Sequence, residues 1–142
     1  MTKSWHQNFT KAPAEERTRD GMVFDSKAEM LRYIDLQNLE RGKVISGLQC
    51  QREYQLVLPN GRPVMIGKRI AKYTADFVYW ENGQLIHEDY KGFMSRDAKL
   101  RIAIFEAIHG VKVRITGQKA KAPKPRKKRM TQSTIRQGGK RR

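Results

Sequence analysis

Apolar residues along the chain fall into two stretches of helical spacing and several short alternating runs. The first helical stretch opens at Asp25 or Ser26, either of which can cap it, continues through good helix formers to about Arg41, and meets a stop at Gly42. Ala28, Leu31, Ile34, Leu36 and Leu39 form its apolar stripe, interrupted by Arg32 and Asp35. Residues 48–58 then read as a strand, with Tyr54, Leu56 and Leu58 alternating against polar neighbours, followed by a Pro59-Asn60-Gly61 turn and an extension at Val64-Met65-Ile66. A second strand is expected over 72–80. It turns at Glu81-Asn82-Gly83-Gln84 and returns over 85–91. Gly92 breaks that strand, Ser95 caps a second helix with Leu100, Ile104, Ala107 and Ile108 on one face, and Gly110 ends it. Val111, Val113 and Ile115 alternate as a last strand. The order is helix, three strands, helix, strand (αβββαβ), which predicts an α/β fold with a small mixed β-sheet flanked by helices.

Composition divides the chain into three parts. Residues 1–22 read as a polar N-terminal leader with Trp5 and Phe9 as its large anchors, and Pro13 argues against one continuous helix there. Residues 23–117 form the expected domain, since 142 residues suffice for one modest core. Residues 118–142 hold 11 Lys and Arg and no acid, with almost nothing apolar to bury, and read as a disordered basic tail. The net charge of +16 is therefore concentrated there, and residues 1–117 carry only +5. Such an excess points to a polyanionic partner, because each phosphate neutralised by Lys or Arg releases condensed counterions. A single cysteine, Cys50, excludes an internal disulfide or a cysteine-rich zinc cluster, and a buried apolar thiol is its expected role. No apolar run has the length of a membrane span and no secretory signal is evident, so a cytoplasmic protein that meets nucleic acid, and no membrane, is expected.

The candidate chemistry lies on the second and third strands. Alternation puts Asp89 and Lys91 on one strand face, with His87, and sends Glu88 and Tyr90 to the other. On the preceding strand Asp76 would lie with Thr74 and Val78, and the hairpin through Asn82-Gly83 could bring it beside Asp89. Two carboxylates with water and phosphate suit a hard cation such as Mg2+, which would polarise a phosphate and activate a water. Lys91 can offset charge accumulating on that phosphate, Glu29 on the first helix can serve as an outer ligand, and Lys99 can touch the scissile or a neighbouring phosphate. Arg96 and Arg101 compete with Lys99 for that contact. Each feature has a plainer reading as well: a paired strand acid for Asp76, a salt-bridged strand for Asp89 and Lys91, a helix-dipole acid for Glu29. His87 is expected to be structural, Phe77 and Tyr90 to be core, and Glu88 to pair with a buried base.

These residues carry a family resemblance. Ala75-Asp76 and Asp89-Tyr90-Lys91 resemble the two motifs of the PD-(D/E)XK nuclease superfamily, and the element order resembles its restriction-endonuclease-like core. Phe24-Asp25-Ser26-Lys27-Ala28-Glu29, Tyr73-Thr74-Ala75-Asp76-Phe77 and Glu88-Asp89-Tyr90-Lys91-Gly92 are similar to small endonucleases of that superfamily encoded by phages and prophages. The likeness runs from about Gly21 to Thr116, with Ala75 where the superfamily name has Pro. It implies a Mg2+-dependent DNA endonuclease, with Mn2+ able to substitute, acting in phage DNA recombination or processing within the bacterial host cytoplasm or nucleoid. Glu29, Asp76, Asp89 and Lys91 would be catalytic, the first three as metal ligands. Lys99, Arg96, Arg101 and the tail residues Lys124, Arg126, Lys127, Lys128 and Arg129 would hold DNA. A small core favours recognition of DNA shape, such as a branch or Holliday junction, and a junction resolvase would need a homodimer. The alternative is a non-catalytic basic nucleic-acid-binding protein, with an RNA-associated protein supported by charge alone.

Overall fold

The computed structural model describes residues 11–117. Trp5, Phe9 and the tail cations Lys124, Arg126, Lys127, Lys128 and Arg129 lie outside them. A 3-10 turn at Ala14–Arg17 begins after Pro13, and the short strands β1 (Thr18–Arg19) and β2 (Met22–Val23) pair around Asp20-Gly21. This part of the expected leader is docked on the domain: the Asp20 carboxylate accepts hydrogen bonds from Tyr33 and Gln37. Helix α1 (Lys27–Arg41) follows, capped by Ser26, whose hydroxyl accepts from the Glu29 amide at 3.0 Å.

The buried face of α1 is Glu29, Tyr33 and Leu36; of the predicted stripe Leu36 is buried and Ile34 and Leu39 are half-buried, whereas Ala28 and Leu31 are exposed. The stripe counted aliphatic side chains only. The observed face runs from an acid to an aromatic ring to a leucine, at intervals of four and three residues. Helix α2 (Arg96–His109) shows the same rotation: Ile102 and Phe105 are buried while Leu100 is exposed.

Strands β3 (Ser46–Gln55), β6 (Lys72–Glu81), β7 (Gln84–Tyr90) and β8 (Val113–Thr116) form the central sheet in the order β3-β6-β7-β8. The first three pair antiparallel, and β8 pairs parallel to β7. The sheet is therefore mixed, because the β7 to β8 connection passes through α2. The short strands β4 (Met65–Ile66) and β5 (Arg69–Ile70) form a separate ribbon between β3 and β6, where one turn and a strand extension were expected. Adjacent β7 residues show that α1 and α2 cover opposite faces. Glu88 meets Arg32 of α1, and His87 packs on Phe105 of α2.

One departure from strict alternation positions the site. Leu48 and Cys50 pack on the α1 side, whereas Tyr54 and Leu56 pack on the α2 side, although all four have even numbers. In β6, Tyr73 and Ala75 face α2 while Phe77 and Tyr79 face α1. Both strands thus exchange faces between the pairs Cys50–Phe77 and Arg52–Ala75, where Gln51 has φ +51°. A left-handed residue inserts a local twist that breaks the two-residue period. Ala75, Asp76 and Phe77 are consequently buried in succession. Thr74 and Val78, which the alternation placed on one face with Asp76, part company: Thr74 is exposed, and Val78 joins the α2-side core.

The end of β7 is closed from beneath by Gly117. A Cβ there would lie 2.6 Å from the Tyr90 ring, and its φ is +80°. Gly117→Ala is expected to cost about 1–3 kcal/mol and to lower the melting temperature by several degrees. A thermal melt indistinguishable from wild type would show that Tyr90 moves aside freely.

Candidate functional site

Four side chains from three elements meet at the C-terminal end of β7. Asp76 comes from the face-switching point of β6, Asp89 from the penultimate position of β7, Lys91 from the residue after it, and Glu29 from the first turn of α1. Lys91 Nζ lies 3.7 Å from Asp76 Oδ2 and 3.8 Å from Asp89 Oδ1. Asp76 Oδ2 also accepts a hydrogen bond from the Tyr90 amide at 2.8 Å, which ties the two strands where their ladder ends. The hairpin thus brings Asp76 and Asp89 to the same lysine, the juxtaposition the alternation predicted.

All three acids are buried: Glu29 is 2%, Asp76 6% and Asp89 2% exposed. Glu29 stands at the third helical position, where a capping acid would fold back toward the helix start. Its Oε1 is buried without a hydrogen-bond partner, as is Asp89 Oδ1. Burial pushes the Glu29 carboxyl up to about 7, with repulsion from Asp76 and Asp25 adding to it and Lys91 opposing. Asp89 is raised for the same reasons, burial first and Asp76 second. Burial tends to discharge Lys91, but the attraction of Asp76, Asp89 and Glu29 outweighs it and holds the ammonium above its ordinary value.

Carboxyls held above their ordinary range bind protons more tightly in the folded chain. Their stabilising contribution is complete below about pH 4.5 and is lost as pH rises through about 7. Wild type should accordingly lose stability relative to Glu29→Gln across that interval, read as melting temperature against pH in EDTA. Parallel curves would remove Glu29 from the account.

Buried carboxylate oxygens without donors fit a cation that prefers oxygen ligands. Among the described residues no three His, Cys, Asp or Glu side chains gather closely enough to hold a metal alone. A divalent ion would thus take its protein ligands from Asp76 and Asp89, with Glu29 beside them, and complete its shell with water and substrate oxygen.

A family model described as "Protein of unknown function (DUF1064)" matches residues 9–125, a span that contains every residue of this cluster. The chain belongs to the DUF1064 family. No curated protein and no solved structure matches it. No helix among the described residues is long and apolar enough to cross a membrane.

The other predicted residues of this DUF1064 chain are divided. Arg101 lines a cavity of about 250 Å³ together with Asp89 and Lys91. It is pinned there by hydrogen bonds from Nε to Asp97 at 2.8 Å and from Nη1 to the Lys72 carbonyl at 2.7 Å. Lys99 lines a different groove, between α2 and β8, and Arg96 is exposed at the start of α2. Lys99 is therefore not in the cavity with Asp89 and Lys91, since the two-residue step between it and Arg101 carries it about 200° around α2.

Glu88 pairs with a base as expected, and that base is Arg32, which the sequence offered only as an interruption of a stripe. Arg32 donates to both Glu88 oxygens, at 2.6 and 3.0 Å. Tyr79 and Thr116 donate to Glu88 as well. Burial alone would raise the Glu88 carboxyl, but these four bonds hold it below its ordinary value. Arg32 stands three residues after Glu29, one turn along α1, so this network anchors the helix that delivers Glu29. A base inside an apolar stripe was the available signal.

His87 is structural as expected: it is buried against Phe105, with Nε2 2.9 Å from the Tyr54 hydroxyl. Phe77 is fully buried and Tyr90 half-buried. Cys50 is half-buried, and burial raises its thiol to about 11, so it is an inert side chain. A residue the sequence did not single out is Tyr73. Its hydroxyl is buried without a partner in the wall of the 250 Å³ cavity.

Proposed function

We propose that this DUF1064 protein is a metal-dependent DNA endonuclease with a restriction-endonuclease-like core, hydrolysing phosphodiester bonds in phage DNA recombination or processing. The observation that carries the reading is the convergence of Glu29, Asp76, Asp89 and Lys91, with one oxygen each of Glu29 and Asp89 buried without a hydrogen-bond partner. Burying ionisable acids is costly unless something compensates them. A strand end that gathers three and offers one lysine is arranged for an additional cation.

Asp76 and Asp89 are the residues that would hold Mg2+ or Mn2+, with Glu29 as the outer group. When bound, the metal supplies Lewis acidity toward a phosphate oxygen. Lys91 offsets negative charge that develops on the transferred phosphate. Glu29, raised to about 7, can hold or release a proton at its carboxyl near neutral pH. Asp76 also fixes the end of β7 through the Tyr90 amide, so that Asp89 and Lys91 stay in register. The mixed sheet between two helices, with acids at its strand ends, is compatible with the superfamily core the motifs resemble.

The test is incubation of the purified chain with labelled linear, nicked, single-stranded and four-way-junction DNA in Mg2+, Mn2+ or EDTA. Metal-dependent cutting is expected, and preference for the junction would favour a dimeric resolvase. Binding without cutting in every condition would transfer the assignment to a non-catalytic DNA-binding protein.

A further inference from the structure

Between β3 and β6 the chain makes an excursion over residues 57–70 that the site chemistry does not use. Val57 bridges Pro63, and Leu58 donates its amide to the Arg62 carbonyl, forming one tight hairpin. Met65↔Ile70 and Ile66↔Arg69 pair as the β4–β5 ribbon, with Gly67 at φ +61° in its turn. The excursion adds little to the core: Val57, Leu58, Met65 and Ile66 are 36–50% exposed.

Charge separates this segment from an ordinary surface loop. Residues 54–75 contain no acid and four cations, Arg62, Lys68, Arg69 and Lys72. Those four nearly equal the whole excess of +5 carried by residues 1–117. Lys72 is ion-paired with Glu53, while Arg62, Lys68 and Arg69 have no ion-pair partner among the described residues.

Position supplies the second argument. A cavity of about 520 Å³ lined by Ile66, Arg69, Lys72 and Arg101 adjoins the 250 Å³ cavity that holds Asp89 and Lys91. Lys72 and Arg101 line both. A trough lined by Arg69, Lys72 and Arg101, the last two paired with Glu53 and Asp97, therefore leads from the carboxylate cluster to the ribbon. Arg69 and Lys72 are three residues apart on extended chain, about 10 Å, which corresponds to about three base-pair rises of B-form DNA.

We propose that the 57–70 excursion is a DNA-docking arm, whose β4–β5 ribbon enters the major groove of duplex DNA while Arg69, Lys72 and Arg101 follow the phosphates of one strand to Asp89 and Lys91. A B-form major groove admits a two-stranded ribbon, whereas the deep, narrow major groove of A-form RNA does not. Exposed Met65 and Ile66 then meet thymine methyls or sugar edges, and the lack of acids keeps the approach free of repulsion. The proposal rests on the nuclease reading for the place where the duplex ends, but not for its chemistry.

The test uses the full chain in EDTA, so that binding is read without cleavage. Lys68, in the turn beside Arg69, would meet a phosphate as well, so replacing Lys68→Ala together with Arg69→Ala should reduce the slope of log affinity against log salt by about 2, since each phosphate contact on B-DNA contributes about 0.9. Both side chains are exposed, so the melting temperature should not move. Independently, p-benzoyl-phenylalanine in place of Ile66 should crosslink to duplex DNA and not to duplex RNA. An unchanged slope with no crosslink overturns the arm, and so does equal crosslinking to duplex RNA. The arm and the nuclease fail separately: a DNA crosslink without cutting in any metal leaves the arm standing, whereas metal-dependent cutting with an unchanged slope and no crosslink removes the arm alone.

Discussion

Asp76→Ala should lower metal-dependent DNA cleavage by at least about 10³-fold while leaving DNA affinity unchanged or higher. Asp76 is the acid on which the other two converge: Lys91 approaches it at 3.7 Å, and it adds to the upward displacement of both Glu29 and Asp89. Without it, a cation loses a ligand and Lys91 loses the partner that orients it. Removing a carboxylate also lowers repulsion toward phosphate, which is why binding should not weaken. The measurement is single-turnover cleavage in Mg2+ beside an equilibrium binding isotherm in EDTA. Because Asp76 Oδ2 accepts the Tyr90 amide, Asp76→Asn keeps that acceptor and controls for local unfolding. Cleavage surviving in both variants would show that the cluster is a structural ion network.

Arg32→Ala should destabilise the protein by about 3–5 kcal/mol, a fall in melting temperature of about 10–20 °C for a domain of this size. Glu88 is fully buried, and Arg32 supplies two of its four hydrogen bonds. Deleting the guanidinium strands a carboxylate inside the α1 face. Since Arg32 helps to hold the Glu88 carboxyl below its usual value of 4.5, the stabilisation it gives is present above that pH and lost as pH falls through the folded value. The gap between wild type and variant should therefore shrink in acid. Pairing Arg32→Met with Glu88→Leu should recover most of the stability, because an apolar pair of similar volume leaves no buried charge. Cleavage per folded molecule should stay low in Arg32→Ala, as α1 no longer holds Glu29 against the strand ends. Equal melting temperatures for wild type and Arg32→Ala would mean that the bidentate pair contributes nothing net.

Most of the elements were legible because they depend on local chemistry. Ser26 and Ser95 cap their helices as their positions suggested, and Gly42 and Gly110 end them. Asn82-Gly83 closes the β6–β7 hairpin, with both residues at positive φ. The candidate acids were legible for a related reason, since a carboxylate within an aromatic strand is conspicuous against β-propensity. Helix faces were legible only in part: Leu36 is buried and Leu39, Ile104 and Ile108 pack on the core. Leu31 and Leu100 point outward, while Glu29 and Arg32 turn in, because a helix buries whatever its neighbours can satisfy and not only what is apolar.

The sequence by itself determined the caps, the turns, the order of the principal elements and the identity of the acids and the lysine, each set by interactions among residues a few positions apart. Tertiary structure alone decided that Gln51 and Asp76 mark a change of sheet face, that Arg32 meets Glu88 across 56 residues, and that Arg101 rather than Lys99 shares a cavity with Asp89. Those outcomes depend on which surfaces pack against one another. A local twist of one residue reverses every side chain beyond it, and no local periodicity records where that reversal falls.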